Sequence, residues 1–214
     1  MKAKNLEERI QRIEDLHEIQ NLMSRYEYLH TAGLHEETAE MFAKKTPGVR
    51  AELPRWGVYE GTEGIKRMFV DVHKFVEGDR LGVLNVFPLT TPLIEVAGDG
   101  KTAKGLWVAP GIETMKVEGK LQANWAWPKY AVDFVKEDGK WKFWHMHIYV
   151  IIHTPYDQSW VDSSRDKMPF GPIPKELESD RPITYYWMYS SKIVTENVPK
   201  PPEPYETLDE EMAY

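Results

Sequence analysis

The sequence predicts an α+β domain in which three N-terminal helices cover an antiparallel sheet, followed by a Pro-rich C-terminal extension. Three observations carry that reading. Apolar residues recur every three or four positions as far as about residue 77, alternation broken by Gly-containing turns takes over after about residue 82, and nine of the fifteen prolines lie beyond Thr154. We take residues 1–153 as the domain and 154–214 as an extension that packs on the domain or on a partner subunit.

The first helix is the clearest element. Leu6, Ile10, Ile13, Leu16, Ile19, Met23, Tyr26 and His30 form one helical stripe, and Gly33 suits the helix end. A short second helix is read from His35 to Lys44, docked through Ala39, Met41 and Phe42. Gly48 to Glu60 alternates weakly around Pro54 and Gly57 and reads as a short edge strand and turn. Thr62 can cap a third helix carrying Ile65, Met68, Phe69, Val72 and Phe75, stopped by Gly78 and Asp79. Long strands then follow, joined by Gly-Asp-Gly and Glu-Asp-Gly turns, as in an antiparallel meander. In the last strand both alternating faces are apolar or aromatic, so the face away from the helices needs the extension or a second copy. A homodimer or higher homo-oligomer is expected on that ground. The aromatic stretch Pro182 to Val194 is suited to docking, and the acidic, Pro-rich end reads as flexible.

Composition narrows the function. A formal charge of −7 disfavours nucleic acid and anionic membranes as partners, and no run is long and apolar enough for a membrane span. The absence of cysteine removes thiolate chemistry and disulfides, and the charged N-terminus lacks a secretory pattern, so a cytoplasmic protein is expected. Eight Trp and eleven Tyr supply large rings with polar tips, which suit a pocket as well as a core.

Tyr26 and His30, four apart on one helical face, form a candidate proton-transfer pair, although a filled core with a helix-end histidine accounts for them more simply. His145 and His147 share one face of the last strand with Trp141, Phe143 and Tyr149, and Lys142 on the other parity favours that face as the inner one. Their spacing permits a metal, but no acidic ligand follows, so no metal is assigned. Acid/base work or hydrogen bonding to substrate is preferred to it, with plain packing under the helices as the other alternative. Asn124, Trp125, Trp127, Lys129 and Tyr130 mix rings with polar groups as a pocket wall would, with Trp56 and Trp107 as further walls. Pro128 invites a bulge that could turn Lys129 or Tyr130 inward, while an exposed edge position suits Lys129 as well.

Four stretches in order, LEERIQRIEDLHEIQNLMSRYEYLHTAGLHEETAEMFA, GVYEGTEGIKRMF, TPLIEVAGDGKTAKGLWVAP and DFVKEDGKWKFWHMHIY, resemble the SnoaL-like branch of the nuclear transport factor two-like superfamily. That superfamily includes polyketide cyclases, scytalone and bile-acid dehydratases and formaldehyde-releasing lyases of diaryl diols. The resemblance implies a curved, cone-shaped sheet whose deep pocket works without cofactors. Tyr26 matches the dehydratases' helix tyrosine, whereas their helix aspartate falls on Thr31 and their histidine before Thr-Pro falls on Thr90. The expected activity is therefore a cofactor-independent lyase removing water or formaldehyde from an aromatic or polycyclic hydroxylated molecule, with His30, His145 or His147 replacing the missing dyad. An isomerase, an epoxide hydrolase or a non-catalytic binding or scaffold module are the alternatives.

Overall fold

A computed structural model gives the fold and describes residues 5–117, 119–161, 173–185 and 187–214. Residues 1–4 of the N-terminal segment, residues 162–172 of the extension and Tyr186 of the aromatic stretch lie outside the described residues. Helix α1 runs Leu6–Ala32, opened by Asn5, whose side chain accepts the Glu8 N–H at 2.9 Å. Gly33 closes it in the left-handed conformation at φ 69°, its N–H reaching His30 O while the Leu34 N–H reaches Leu29 O. The stripe is buried only from Asp15 onward, through Ile19, Met23, Tyr26 and His30; Leu6, Ile10 and Ile13 stay exposed.

Helix α2 is shorter than its apolar spacing suggests, His35–Ala39, because Met41 and Ala43 turn to bond the backbone of Phe143. The next segment makes a hairpin, β1 (Arg50–Leu53) and β2 (Gly57–Glu60), of which only β2 is an edge. β1 is interior and departs from the meander, running parallel to the last strand with Arg50 opposite His145 and Glu52 opposite His147. The third helix joins α3 (Gly61–Lys66), a π-helical stretch (Arg67–Val72) and α4 (His73–Glu77) without a break.

Strands β3 (Leu84–Val86), β4 (Thr90–Val96), β5 (Thr102–Val108), β6 (Gly111–Val117), β7 (Lys120–Glu137) and β8 (Lys140–Pro155) complete the sheet in the order β2-β1-β8-β7-β5-β4. β7 is long enough to serve two neighbours, pairing β6 with its first half and β5 with its second, while β3 pairs β6. The β7–β8 turn needs two left-handed residues, and Asp138 (φ 49°) and Gly139 (φ 74°) supply them.

Two bulges in β8 set what each face shows. Opposite β7, Asp133 pairs His145 but Phe134 pairs Phe143, so Trp144 is an extra residue; Pro128 pairs Val150 but Trp127 pairs Ile152, so Ile151 is another. Each extra residue reverses the alternation. Phe143, Met146, Ile148, Val150 and His153 therefore look towards the helices, and His145, His147 and Tyr149 look away.

The face turned away from the helices is covered by the chain's own last thirty or so residues. The Thr184 N–H bonds Glu52 Oε2 at 3.0 Å, the Tyr189 N–H bonds Ile151 O at 2.8 Å and Lys129 Nζ reaches Val198 O at 3.1 Å. Further on, the Gly98 N–H bonds Tyr205 O at 2.9 Å and the Tyr214 N–H bonds Asp133 Oδ2 at 2.8 Å. Trp187, Met188 and Tyr205 are buried there, so the apolar outer face is covered without a second copy. Among the described residues no helix is long and apolar enough to cross a membrane.

Candidate active site

Between the sheet and the helices lies a pocket that opens to solvent at its mouth. Tyr26 and His30 enter it from α1, Trp56 from the β1–β2 turn, Phe69 and His73 from the third helix, and Tyr130, Ile148 and Val150 from the sheet. Tyr26 is the centre of the ring cluster, 5.6 Å from His30 and 5.7 Å from Tyr130 between centroids. The Tyr26 and Tyr130 rings meet edge to face, close enough for each phenol to affect the acidity of the other. Each phenol carries one O–H donor, so even a pair in which one donates to the other has an O–H to offer to a third partner. Burial pushes both phenols up from the ordinary tyrosine value, so both remain protonated.

His73 owes its orientation to the π-helical stretch. Its Nδ1 meets the carbonyl of Met68, five residues back, at 2.8 Å, so the ring proton sits on Nδ1 and Nε2 keeps its lone pair. Among the described residues Nε2 has no hydrogen-bond partner, yet it is not sealed in. His30 lies edge-on to His73 at 5.4 Å between centroids. Burial, followed by the neighbouring imidazoles of His73 and His35, lowers His30 to about 3. Burial and then His35 lower His73 to about 4. Both rings are neutral at pH 7. Behind them His35 Nε2 bonds Glu77 Oε2 at 2.8 Å, and Arg80 bonds the same carboxylate, so this wall has its charge balanced.

Unfolding sets these imidazoles free to titrate at their ordinary value of 6.5. Between that value and about 4 the unfolded chain holds more protons than the folded one, so stability should fall as pH falls through that window. Glu27, raised to about 7 chiefly by burial, opposes this with one proton against two. The urea midpoint is accordingly expected to be lower at pH 5 than at pH 7; an unchanged midpoint would show that the rings are not held neutral.

Five of the residues singled out from the sequence meet at this pocket. Tyr26, His30, Trp56 and Tyr130 line it, and Asn124 bonds the lining residue Glu113 through Nδ2 at 3.3 Å. Seven fall elsewhere. His145 bonds Asp133 at 2.9 Å and His147 bonds Tyr185 O at 2.8 Å, both beneath the extension, with Tyr149 stacked on His147 at 3.9 Å. The bulge at Trp144 is the physical reason, since it reverses the parity that linked these rings to Trp141 and Phe143. Lys129 is on the same outer face, Trp125 packs near Tyr156, and Trp127 is exposed. Trp107 faces inward but is fully buried under α1, with Nε1 donating to Gln20 at 3.4 Å.

Sequence reasoning missed His73, Glu77, Asn85, Glu113 and His153, all of which line the pocket. The signal for His73 was its place next to the apolar stripe of the third helix, five residues after Met68. His153 carried no usable signal, because simple alternation groups it with His145 and His147. Among the described residues no cluster of three or more His, Asp or Glu is arranged to hold a metal ion.

The profile of a family described as "SnoaL-like domain" matches residues 11–147. A candidate scytalone dehydratase from Novosphingobium aromaticivorans DSM 12444 is 16% identical at a TM-score of 0.55, over 70% of this chain and 92% of that one. The hexachlorocyclohexane dehydrochlorinase LinA-type3 from Novosphingobium barchaimii LL02 is 18% identical at a TM-score of 0.58, over 77% of this chain and 99% of that one. None of the curated proteins matches this chain.

Proposed function

The chain belongs to the family of SnoaL-like domains, and from that premise we propose that it is a small-molecule lyase acting by side-chain proton transfer in the pocket beneath α1. The observation that carries this is the convergence of a lone-pair nitrogen, His73 Nε2, and a free phenolic proton of the Tyr26–Tyr130 pair on one greasy cavity. The resemblance placed a histidine at Thr90 and an aspartate at Thr31; here His73 of the third helix supplies the imidazole instead. The structural relatives named above, a candidate dehydratase and a dehydrochlorinase, carry names of eliminations, which agrees with this choice.

In the elimination, His73 Nε2 takes the proton from the carbon next to the one bearing the leaving oxygen. The C–H electron pair becomes the new double bond, the C–O bond breaks, and the free phenolic proton passes to the oxygen, which leaves as water. The phenolate recovers its proton from the imidazolium, restoring both groups. Loss of formaldehyde needs the same partners: the base takes the O–H proton of a hydroxymethyl group, the C–C electrons form the double bond, and a neighbouring hydroxyl departs as water. Trp56 and Phe69 offer flat walls for an aromatic or polycyclic substrate, and Tyr26, His30 and Tyr130 close the floor.

Incubation with hydroxylated diaryl and steroid compounds should give a product lighter by water, or by water and formaldehyde, in mass spectrometry. Tyr26→Phe and Tyr130→Phe are each expected to lower kcat at least about tenfold, the effect of one lost proton donor. Turnover within twofold of the parent in both would refute the assignment, and a pocket that binds but never converts these compounds would mark a non-catalytic binding module.

A further inference from the structure

The pocket has a second polar wall, away from the ring cluster, that the elimination does not use. Asn85 on β3 stands opposite Glu113 on β6, Glu113 stands opposite Asn124 on β7, and the bulge at Ile151 brings His153 of β8 into the same row. Glu113 Oε1 is spoken for by His153 Nε2 at 2.5 Å and by Asn124 Nδ2 at 3.3 Å. Its other oxygen, Oε2, and the other ring nitrogen of His153, Nδ1, have no hydrogen-bond partner among the described residues, and neither is sealed from the cavity.

Both open atoms can accept. With Nε2 of His153 donating to the carboxylate, the neutral tautomer presents a lone pair at Nδ1, and the free carboxylate oxygen can only accept. The His153 and Glu113 side chains are 8% and 10% exposed, so this acceptor pair sits where water has limited access. An acceptor left unpaired there is costly, and the ligand that corrects it must bring hydrogen-bond donors. Ala126 and Pro128 lie between this row and Tyr130 along β7 and give the pocket an apolar stretch between its two polar ends.

The geometry points to Glu113 and His153 as a subsite that reads a free hydroxyl group, phenolic or alcoholic, on the part of the substrate remote from the bond that breaks. It rests on the lyase reading, because it places the substrate in that cavity. The substrate class is thereby narrowed from any aromatic molecule to one with an unmasked hydroxyl on its far ring. An O-methylated counterpart has the same shape but no donor, and it leaves both acceptors bare.

Binding of bis(4-hydroxyphenyl)methane and of bis(4-methoxyphenyl)methane, followed by quenching of tryptophan fluorescence, tests this. The parent protein should bind the diphenol about tenfold or more tightly than the diether, and Glu113→Gln and His153→Gln should each reduce that ratio to under about threefold, mainly by weakening the diphenol. Equal binding of the two probes, no measurable binding of the diphenol, or an unchanged ratio in both variants overturns the subsite. His73→Ala separates the two readings: it should leave the ratio intact. A ratio that collapses with Glu113→Gln while His73→Ala still turns over leaves the subsite standing and removes the lyase mechanism.

Discussion

Replacing His73 by alanine should lower kcat by about a hundredfold to ten-thousandfold, the usual worth of a positioned general base, with the far-UV spectrum unchanged. The expectation follows from three features together. The ring is pinned through Nδ1 by the Met68 carbonyl, its lone pair faces the cavity, and its pKa of about 4 keeps it unprotonated at neutral pH. Added imidazole should restore part of the activity, because the alanine leaves a hole of the right shape beside Trp56 and Phe69. His147→Gln is the control. That ring is buried, but on the outer face, bonded to Tyr185 O and close to Glu52 at 3.3 Å, so turnover at a temperature where both variants are folded should change less than twofold. A His73→Ala protein as active as its parent, or a loss of activity confined to the His147→Gln variant, would move the chemistry to the other side of the sheet.

Asp133→Ala should be among the most destabilising single changes in the chain, costing about 3–5 kcal/mol, the range for removing one partner of a buried ion pair. Asp133 is 0% exposed and serves three donors at once: Lys104 Nζ at 2.6 Å, His145 Nδ1 at 2.9 Å and the Tyr214 N–H at 2.8 Å. The carboxyl is held below its ordinary value, since the His145 bond and the Lys104 charge outweigh the opposing effect of burial. Its loss strands Lys104 against the Tyr214 ring, 3.7 Å away, with only the Met212 carbonyl left as an acceptor. For a chain of this size the melting temperature should drop by on the order of 10 °C. Amide exchange around Tyr205 and Tyr214 should quicken with it. A melting temperature within a degree or two of the parent would show that this cluster does not tether the extension.

Much of the architecture was legible because it follows from local periodicity. The stripe from Ile19 to His30 and the stop at Gly33 needed nothing beyond one turn of helix, and the Asp138-Gly139 hairpin declared itself through residues that tolerate positive φ. The site was legible only where it rode on such an element, as Tyr26 and His30 do. Strand alternation failed twice in β8, because an extra residue such as Trp144 or Ile151 has no signature of its own; its cause is the pairing with β7. Those two residues separate the histidine pair expected in the pocket, His145 and His147, from the histidine found there, His153. The doubly apolar last strand was read as one that needs covering on both faces. What covers it, the segment through Trp187 and Tyr205, is a matter of long-range contact that no window of sequence reveals.

The parallel seam between β1 and β8 also governs how the molecule comes together. Arg50 meets His145 across more than ninety residues of intervening chain, so this junction closes a long loop. Neighbouring hairpins zip quickly on their own, whereas a union between such distant stretches is slow to nucleate. Leu53 and Trp56 are carried on or just after β1, which makes their side of the cavity the last to take shape. A refolding chain would thus own most of its sheet while still unable to hold a guest.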